Sequence, residues 1–337
     1  MRTHYASREQ DYAPLHFFNW GFSDGVREDV SFYTGHGTQQ PDDASEQITC
    51  LTCGTNKTRT SIFMDLEVPN GLLSQERINW ELRERNFDKI FTIEPEVVKN
   101  RNEELGEEKY VYIPLPFPDI NLIPEHPDHD KKTCDIFYAG HVFQRLFLYQ
   151  KIILPIMGSG ELSYDPGPLK RFNRLIVSGG NSTHQTPERD VSYQEKLSLN
   201  ADSRITVGHS IIPIHGRWLG QAKKLSGITT LRELRNSQGD IESNYIVQQK
   251  YRNIEAMFCK SLLLHFRDGS RIIEDFFEPD KHFIYFDSVE DFQEKACYIL
   301  DHYDEYIPMI EDTFEYVMQN HTLEKFFEKY IFSIQGL

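Results

Sequence analysis

The sequence predicts an α/β protein in two domains, each built on a parallel sheet. Apolar, strand-like runs alternate with helical patterns along most of the 337 residues, which is the spacing of strand–helix–strand units. A proline-rich, charged stretch interrupts that alternation once, and it marks a linker. Short apolar runs such as Leu262-Leu263-Leu264 read as strands buried on both faces, as in parallel sheets. The length suits two domains, each able to bury its own core.

Residues 13–22, APLHFFNWGF, read as a buried strand that ends near Gly21 without the G-x-G-x-x-G of a dinucleotide site. Residues 33–46 are a polar loop. ITCLTC (48–53) and TSIFMDLEVP (60–69) are the next strand candidates. Asp65 and Glu67 close the latter, and side chains two apart on a strand share a face. Open sheets bind ligands beyond the carboxyl ends of their strands, so both carboxylates are site candidates; a solvated carboxylate at a strand end is the plain alternative. Residues 74–86 carry a helix with Ser74 as N-cap. FDKIFTI, EPEVVKNRNEEL and KYVYIPLPFP then read as strand, helix and strand.

Pro114, Pro116, Pro118, Pro124 and Pro127, with the charged run EHPDHDKK, mark the linker. The division is therefore set at 1–125 and 126–337. CDIFYAG opens the second domain as a strand ending at Gly140, followed by His141 and a helix containing Arg145. FNRLIVSGGN is a strand and glycine turn; DVSYQEKLSLNADSRITVGHS is helix, turn and strand, with His209 at the strand end. Residues 215–244 exceed the expected connection and read as an insertion. At the C-terminus Ser288 caps the first of three helices, 289–302, 304–319 and 322–333.

Composition narrows the function. A net charge of −16 opposes nonspecific binding to nucleic acid or to an anionic membrane, so an anionic ligand needs a local basic site. No apolar run reaches the length of a spanning helix, and MRTHYASREQDY lacks the apolar segment of a signal peptide; a cytoplasmic enzyme, at most peripherally membrane-associated, is the expectation. Five cysteines without a secretory signal read as free thiols. Cys50 and Cys53 would point to opposite faces of their strand and read as buried structure rather than a metal or redox pair.

The residues from Gln249 to Asp287, QKYRNIEAMFCKSLLLHFRDGSRIIEDFFEPDKHFIYFD, organise the rest. Lys250 and Arg252 open a helical pattern whose apolar stripe is Ile254, Met257 and Phe258. Glu255 falls outside that stripe, roughly 100° around the helix from Ile254. The strand Leu262–Leu264 follows, then Phe277-Glu278-Pro279-Asp280-Lys281 and a second strand over 282–286. A helix that begins beside basic residues and feeds a buried strand is one way open α/β sheets present a phosphate site.

This stretch resembles the C-terminal donor-binding half of GT-B glycosyltransferases, in particular the bacterial group-1 and spore-maturation-protein-like families. The resemblance rests on Arg252, Ile254-Glu255-Ala256-Met257, the apolar strand, Phe277-Glu278-Pro279-Asp280-Lys281 and the aromatic strand Phe283–Phe286. It implies a GT-B fold, two Rossmann-like domains facing across a cleft. It also implies transfer of a sugar from a nucleotide-activated donor to a glycan, lipid-linked or other acceptor, with no cofactor and no metal. In that reading Glu255 holds ribose hydroxyls and Lys250 and Arg252 offset the diphosphate. Gly140, His141 and Arg145 line the phosphate turn, His209 reaches toward the donor, and Lys281 approaches the same pocket. Apart from the resemblance, their place at a strand end makes Glu67, with Asp65, the candidate catalytic or acceptor-orienting carboxylate, and its length makes the insertion a candidate for acceptor recognition. Many retaining members carry a second Glu eight positions before the one matched by Glu255. Val247 stands there, which leaves the stereochemical outcome open. Asp128-His129-Asp130 spells the D-x-D of metal-dependent glycosyltransferases of the other common fold, but it lies in the linker and closes no strand. A nucleotide-sugar epimerase of the same fold and a non-catalytic sugar-binding protein are the alternatives.

Overall fold

The computed structural model describes residues 84–85, 87–117, 120–140, 149–157, 166–177, 192–214, 219, 231–235 and 241–331, together with the backbone of three strands nearer the N-terminus. Strand expectations at 13–22 and 48–53, the Cys50/Cys53 pair and most of the helix at 74–86 lie outside the described residues. The chain forms two compact units, Met1–Pro114 with Ile214–Gln248 and Phe326–Leu337, and Leu115–Pro213 with Gln249–Lys325. The expected division into 1–125 and 126–337 treats each half as continuous, whereas these units alternate along the chain.

In the first unit, β1 (His4–Ala6), β2 (Val30–Gly35), β3 (Thr60–Asp65), β4 (Lys89–Thr92) and β5 (Tyr110–Tyr112) form a parallel sheet in that order. β2 takes up residues 33–35 of the expected loop, where its backbone pairs with β1 and β3. Helix α1 (Pro95–Leu105) starts with Pro95, whose missing N–H costs nothing at a helix start, and stops at Gly106 in the left-handed conformation. The Asn102 side chain bonds both backbone groups of Tyr110, tying the helix to β5. Arg101 donates to both carboxylate oxygens of buried Glu84, and the Tyr110 hydroxyl donates to the same group. The expected insertion folds into this unit. Its strands β10 (Arg232–Arg235) and β11 (Ile241–Val247) pair antiparallel, and Arg232 forks onto the Glu96 carboxylate in the first turn of α1.

The second unit holds β6 (Cys134–Ala139), β7 (Arg174–Val177), β8 (Ser203–Gly208), β12 (Leu262–Phe266) and β13 (Ile284–Phe286). All neighbouring pairs are parallel, in the order β7-β6-β8-β12-β13. The short strand β9 (Ile211–Ile214) follows β8. Helix α2 (Tyr193–Ala201) is capped by Ser192, which accepts from Glu195 N–H, and α3 (Tyr251–Phe258) leads into β12. Then come α4 (Val289–Asp301), α5 (Tyr303–Asn320) and α6 (Leu323–Phe326). The core between α3, β12 and the C-terminal helices holds Phe258 stacked on Phe117 at 4.3 Å, with Met257, Leu263, Phe277, Phe283 and Val317. Beneath it the ammonium of buried Lys132 donates to the carbonyls of Ala201, Ser203 and Lys260, closing the ends of α2, β8 and α3 together. No helix among the described residues is long and apolar enough to cross a membrane.

The strand order places the site. From β6 the chain moves outward to β7 and then returns to the opposite side as β8. Connections leaving neighbouring strands in opposite directions open a crevice at their carboxyl ends, where open α/β sheets bind ligands. That point lies at Ala139-Gly140 on β6 and Gly208-His209 on β8.

The N-cap Ser288 accepts a hydrogen bond from Asp291 N–H at 3.1 Å, as its sequence position predicts. Ser288→Ala should lower stability by about 1 kcal/mol. Urea denaturation should show this as a lower midpoint with an unchanged slope.

Candidate functional site

The residues at this switch point are assembled around one side chain. Arg252, in the first turn of α3, lays its guanidinium across Gly140. A Cβ on Gly140 would stand 2.5 Å from Nη2 and 2.8 Å from Cζ, and the glycine has a φ of +150°, so a side chain there is barred by both space and backbone. Nη1 donates to the Tyr138 hydroxyl at 2.6 Å and to His209 Nε2 at 3.1 Å. The guanidinium carbon lies 5.0 Å from the Tyr138 ring centre. Tyr138 and His209 are themselves 3.3 Å apart, hydroxyl to Nε2, with stacked rings.

His209 is buried, and burial first, then the charges of Arg252 and Lys250, hold its pKa well below the ordinary imidazole value. A neutral imidazole with its lone pair on Nε2 is the form that can accept from Arg252. A second neutral histidine stands behind it. His265, inside β12, is fully buried; burial pushes its pKa down to about 3, with a backbone hydrogen bond at Phe266 opposing and the Arg252 charge adding. Its Nε2 lies 3.1 Å from Ser210 Oγ and 3.2 Å from Asn253 Nδ2, and Asn253 is the next residue of the α3 first turn. Gly208 leaves the room: a Cβ there would stand 2.6 Å from Asn253 Oδ1 and 2.7 Å from Leu263 Cδ1. Lys250 is the N-cap residue of α3 and brings no side-chain acceptor to the first-turn N–H groups, so the positive end of the helix stays unneutralised by its own cap.

Of the sequence-predicted residues, the structure brings Gly140, His209 and Arg252 into contact, with Lys250 near enough to act on His209 electrostatically. Glu255 differs from expectation. It is buried, 1% exposed, because every residue of α3 from Asn253 to Phe258 is covered. Its partner is neither Lys250 nor Arg252 but Lys196 of α2, whose ammonium donates to Oε1 at 2.7 Å and lies over the Tyr193 ring. Burial first, then the Glu255 charge, raises the pKa of the Tyr193 and Tyr251 phenols well above the usual value. Lys281 is exposed and pairs with Glu278 at 2.7 Å. Asp65 ends β3 in the first unit, where its backbone alone is described; Glu67, His141 and Arg145 lie outside the described residues. Asp128-His129-Asp130 closes no strand: Asp128 pairs with Lys131, and His129 Nε2 meets Glu311 at 2.9 Å. Among the described residues no three His, Cys, Asp or Glu side chains are grouped closely enough to hold a metal ion.

Sequence reasoning missed Tyr138, Ser210, Asn253, His265 and Lys196. His265 carried a signal, a histidine within the apolar run LLLHF. Tyr138 is one aromatic among others in its strand, and nothing local distinguishes it.

Residues 167–331, from the turn before β7 through the last helical turn, match the family described as Glycosyl transferase-like. That match spans just under half of the chain. The match includes His209, Arg252, Glu255 and His265 and begins after Tyr138 and Gly140. No curated protein matches the sequence. Solved structures similar to the chain include an alpha-glucosyltransferase in complex with UDP and a 13-mer DNA, at 12% identity and TM-score 0.53, covering 89% of this chain and 78% of that one. HepE of Anabaena, in complex with UDP and glucose, has 7% identity and TM-score 0.51 over 92% of this chain and 78% of HepE. TarM has 11% identity and TM-score 0.51 over 89% of this chain, which spans about half of TarM's length, 53%. At these identities the likeness concerns the fold, and that fold is GT-B.

The two buried histidines should make the domain acid-sensitive. The folded pKa of His265 lies below the unfolded value of about 6.5, so stability due to its neutral form is complete above about pH 6.5 and is lost as pH falls toward about 3. The slope is at most about 1.4 kcal/mol per pH unit per histidine. Denaturation curves of wild type and His265→Phe at pH 7, 6 and 5 should therefore converge as pH falls. A parallel decline in both would place the titrating group elsewhere.

Proposed function

We propose that the chain transfers a sugar from a uridine-diphosphate donor to a hydroxyl of a glycan or lipid-linked acceptor, and that the second unit binds the donor. The carrying observation is the Arg252 guanidinium over Gly140 at the carboxyl ends of β6 and β8, beside the N-terminus of α3. The chemistry of transfer asks for this charge. As the bond from the sugar to the diphosphate breaks, negative charge grows on the departing phosphate oxygens, and donors fixed in advance stabilise it without reorganising. Arg252 offers fork-like N–H donors, Lys250 a second cation, and the helix start its N–H groups.

The uracil assignment is supported by the UDP in the HepE and alpha-glucosyltransferase complexes, proteins of the same fold. A net charge of −16 disfavours a nucleic-acid acceptor here. In this reading the diphosphate is held without a metal, in the cytoplasm, and Asp65 or Glu67 of the first unit orients the acceptor hydroxyl. Glu255 reaches a ribose hydroxyl only by sharing its carboxylate with Lys196, so Arg252 and Lys250 carry the proposal. Lys281, exposed and paired with Glu278, is left out of it.

Calorimetric titration with UDP tests it. Hydrogen bonds to charged groups contribute about 1.5–3 kcal/mol, so Arg252→Gln should weaken UDP binding about ten-fold or more, while Lys281→Ala should match wild type. Equal affinity of Arg252→Gln and wild type would remove the diphosphate from this site. Release of UDP from a UDP-sugar only when an acceptor sugar is present would establish transfer; isomerised donor without acceptor would establish an epimerase instead.

A further inference from the structure

Arg252 and Asn253 are consecutive in the first turn of α3, and each reaches a different strand end. Arg252 is held by Tyr138 of β6 and His209 beyond β8. Asn253 is held by Ser210 and by His265 of β12, at 3.3 Å and 3.2 Å. Asn253, Ser210 and His265 are 1%, 0% and 0% exposed, so a ligand in the crevice does not touch them. Their neighbours on the other side are apolar: the His265 ring meets Phe283 and Tyr285 edge-on, each at 5.9 Å. A polar trio buried in such surroundings is costly, the more so because Asn253 Oδ1 has no hydrogen-bond partner and His265 Nδ1 none among side chains; the bonds that are made converge on the turn that carries the proposed phosphate clamp.

We propose that His265 is a positioning residue for donor binding. Acting through Asn253 and Ser210, it fixes the first turn of α3 and so sets where the Arg252 guanidinium stands over Gly140. This rests on the reading of Arg252 as the group that binds the diphosphate. The amide of Asn253 donates to Nε2, and the Ser210 hydroxyl shares that lone pair, so the imidazole serves as an acceptor. Replacing the ring by an apolar one of similar shape keeps the packing but takes away the acceptor. The first turn then keeps the Arg252 contacts and the 3.3 Å bond from Asn253 to Ser210 but loses its tie to β12. A clamp displaced by a fraction of an ångström loses bonds to the phosphate oxygens, whereas contacts to the nucleoside, which do not depend on Arg252, are kept.

The test compares UDP with uridine by calorimetric titration, in wild type, His265→Phe, Arg252→Gln and the double variant, each checked for cooperative thermal unfolding. Ser210→Ala, a smaller change on the same nitrogen, serves where His265→Phe does not fold. His265→Phe should weaken UDP about ten-fold with uridine affinity unchanged. In the Arg252→Gln background it should cost nothing further, because a residue that acts through Arg252 has no effect without it. Ser210→Ala should move UDP in the same direction by less. Equal losses for UDP and uridine, or losses that add in the double variant, would make His265 a packing residue and overturn the proposal. A folded His265→Phe or Ser210→Ala protein that binds UDP as wild type does would overturn it too. Wild-type affinity for UDP in Arg252→Gln would instead sink the reading of Arg252 itself, and this inference with it.

Discussion

The guanidinium of Arg252 occupies the space that a Cβ at position 140 would fill, and much of the second unit is arranged to make that possible. The strand β6 must end in glycine at the switch point. The helix α3 must start close enough to the sheet for its second residue to reach across β6 and β8. That closeness in turn requires Gly208, because a Cβ there would run into Asn253 and Leu263. The closing of α3 against β8 at its far end falls to Lys132, whose ammonium gathers three carbonyls from α2, β8 and the residues after α3. One charged side chain over one glycine is thus the outcome of two close approaches and a buried clamp.

The described side chains that hold Arg252 at the strand ends are not carboxylates. The two acceptors of Arg252 Nη1, a phenol and an imidazole, are neutral, and the cations near His209 help to keep it so. A carboxylate in the place of His209 would have held the guanidinium more strongly and also cancelled its charge. The contrast lies one turn further along α3. There Glu255 is matched by Lys196, an ion pair at the helix–helix contact with one partner buried, which binds the helices and offers no net charge. The same short helix therefore carries two cations at its start and a paired carboxylate in its second turn.

Local pattern was enough for much of this. The strands at 134–139, 174–177, 203–208 and 262–266 are apolar runs of strand length between turn signals, and the α3 helix shows its stripe in Ile254, Met257 and Phe258. Gly140 and His209 were legible because residue type and strand-end position coincide, and Arg252 because a basic pair opens the helical pattern that feeds β12. Pairing across the chain was not. Nothing near Glu255 names Lys196, fifty-nine positions earlier, and periodicity gives only one face of α3 when α2 covers another. Residues 215–244 read as an insertion from their length, but which unit they join depends on contacts such as Arg232 with Glu96, a separation of 136 residues. Asn253, Ser210 and His265 are three common polar residues until β8, β12 and α3 are placed side by side.

The most direct test of this account is a crystal structure of the UDP complex. A diphosphate oxygen should lie within hydrogen-bond distance of the Arg252 guanidinium, at the carboxyl ends of β6 and β8, with His209 and Tyr138 still bonded to Nη1. UDP bound with its phosphates away from Gly140 and the α3 N-terminus would contradict it.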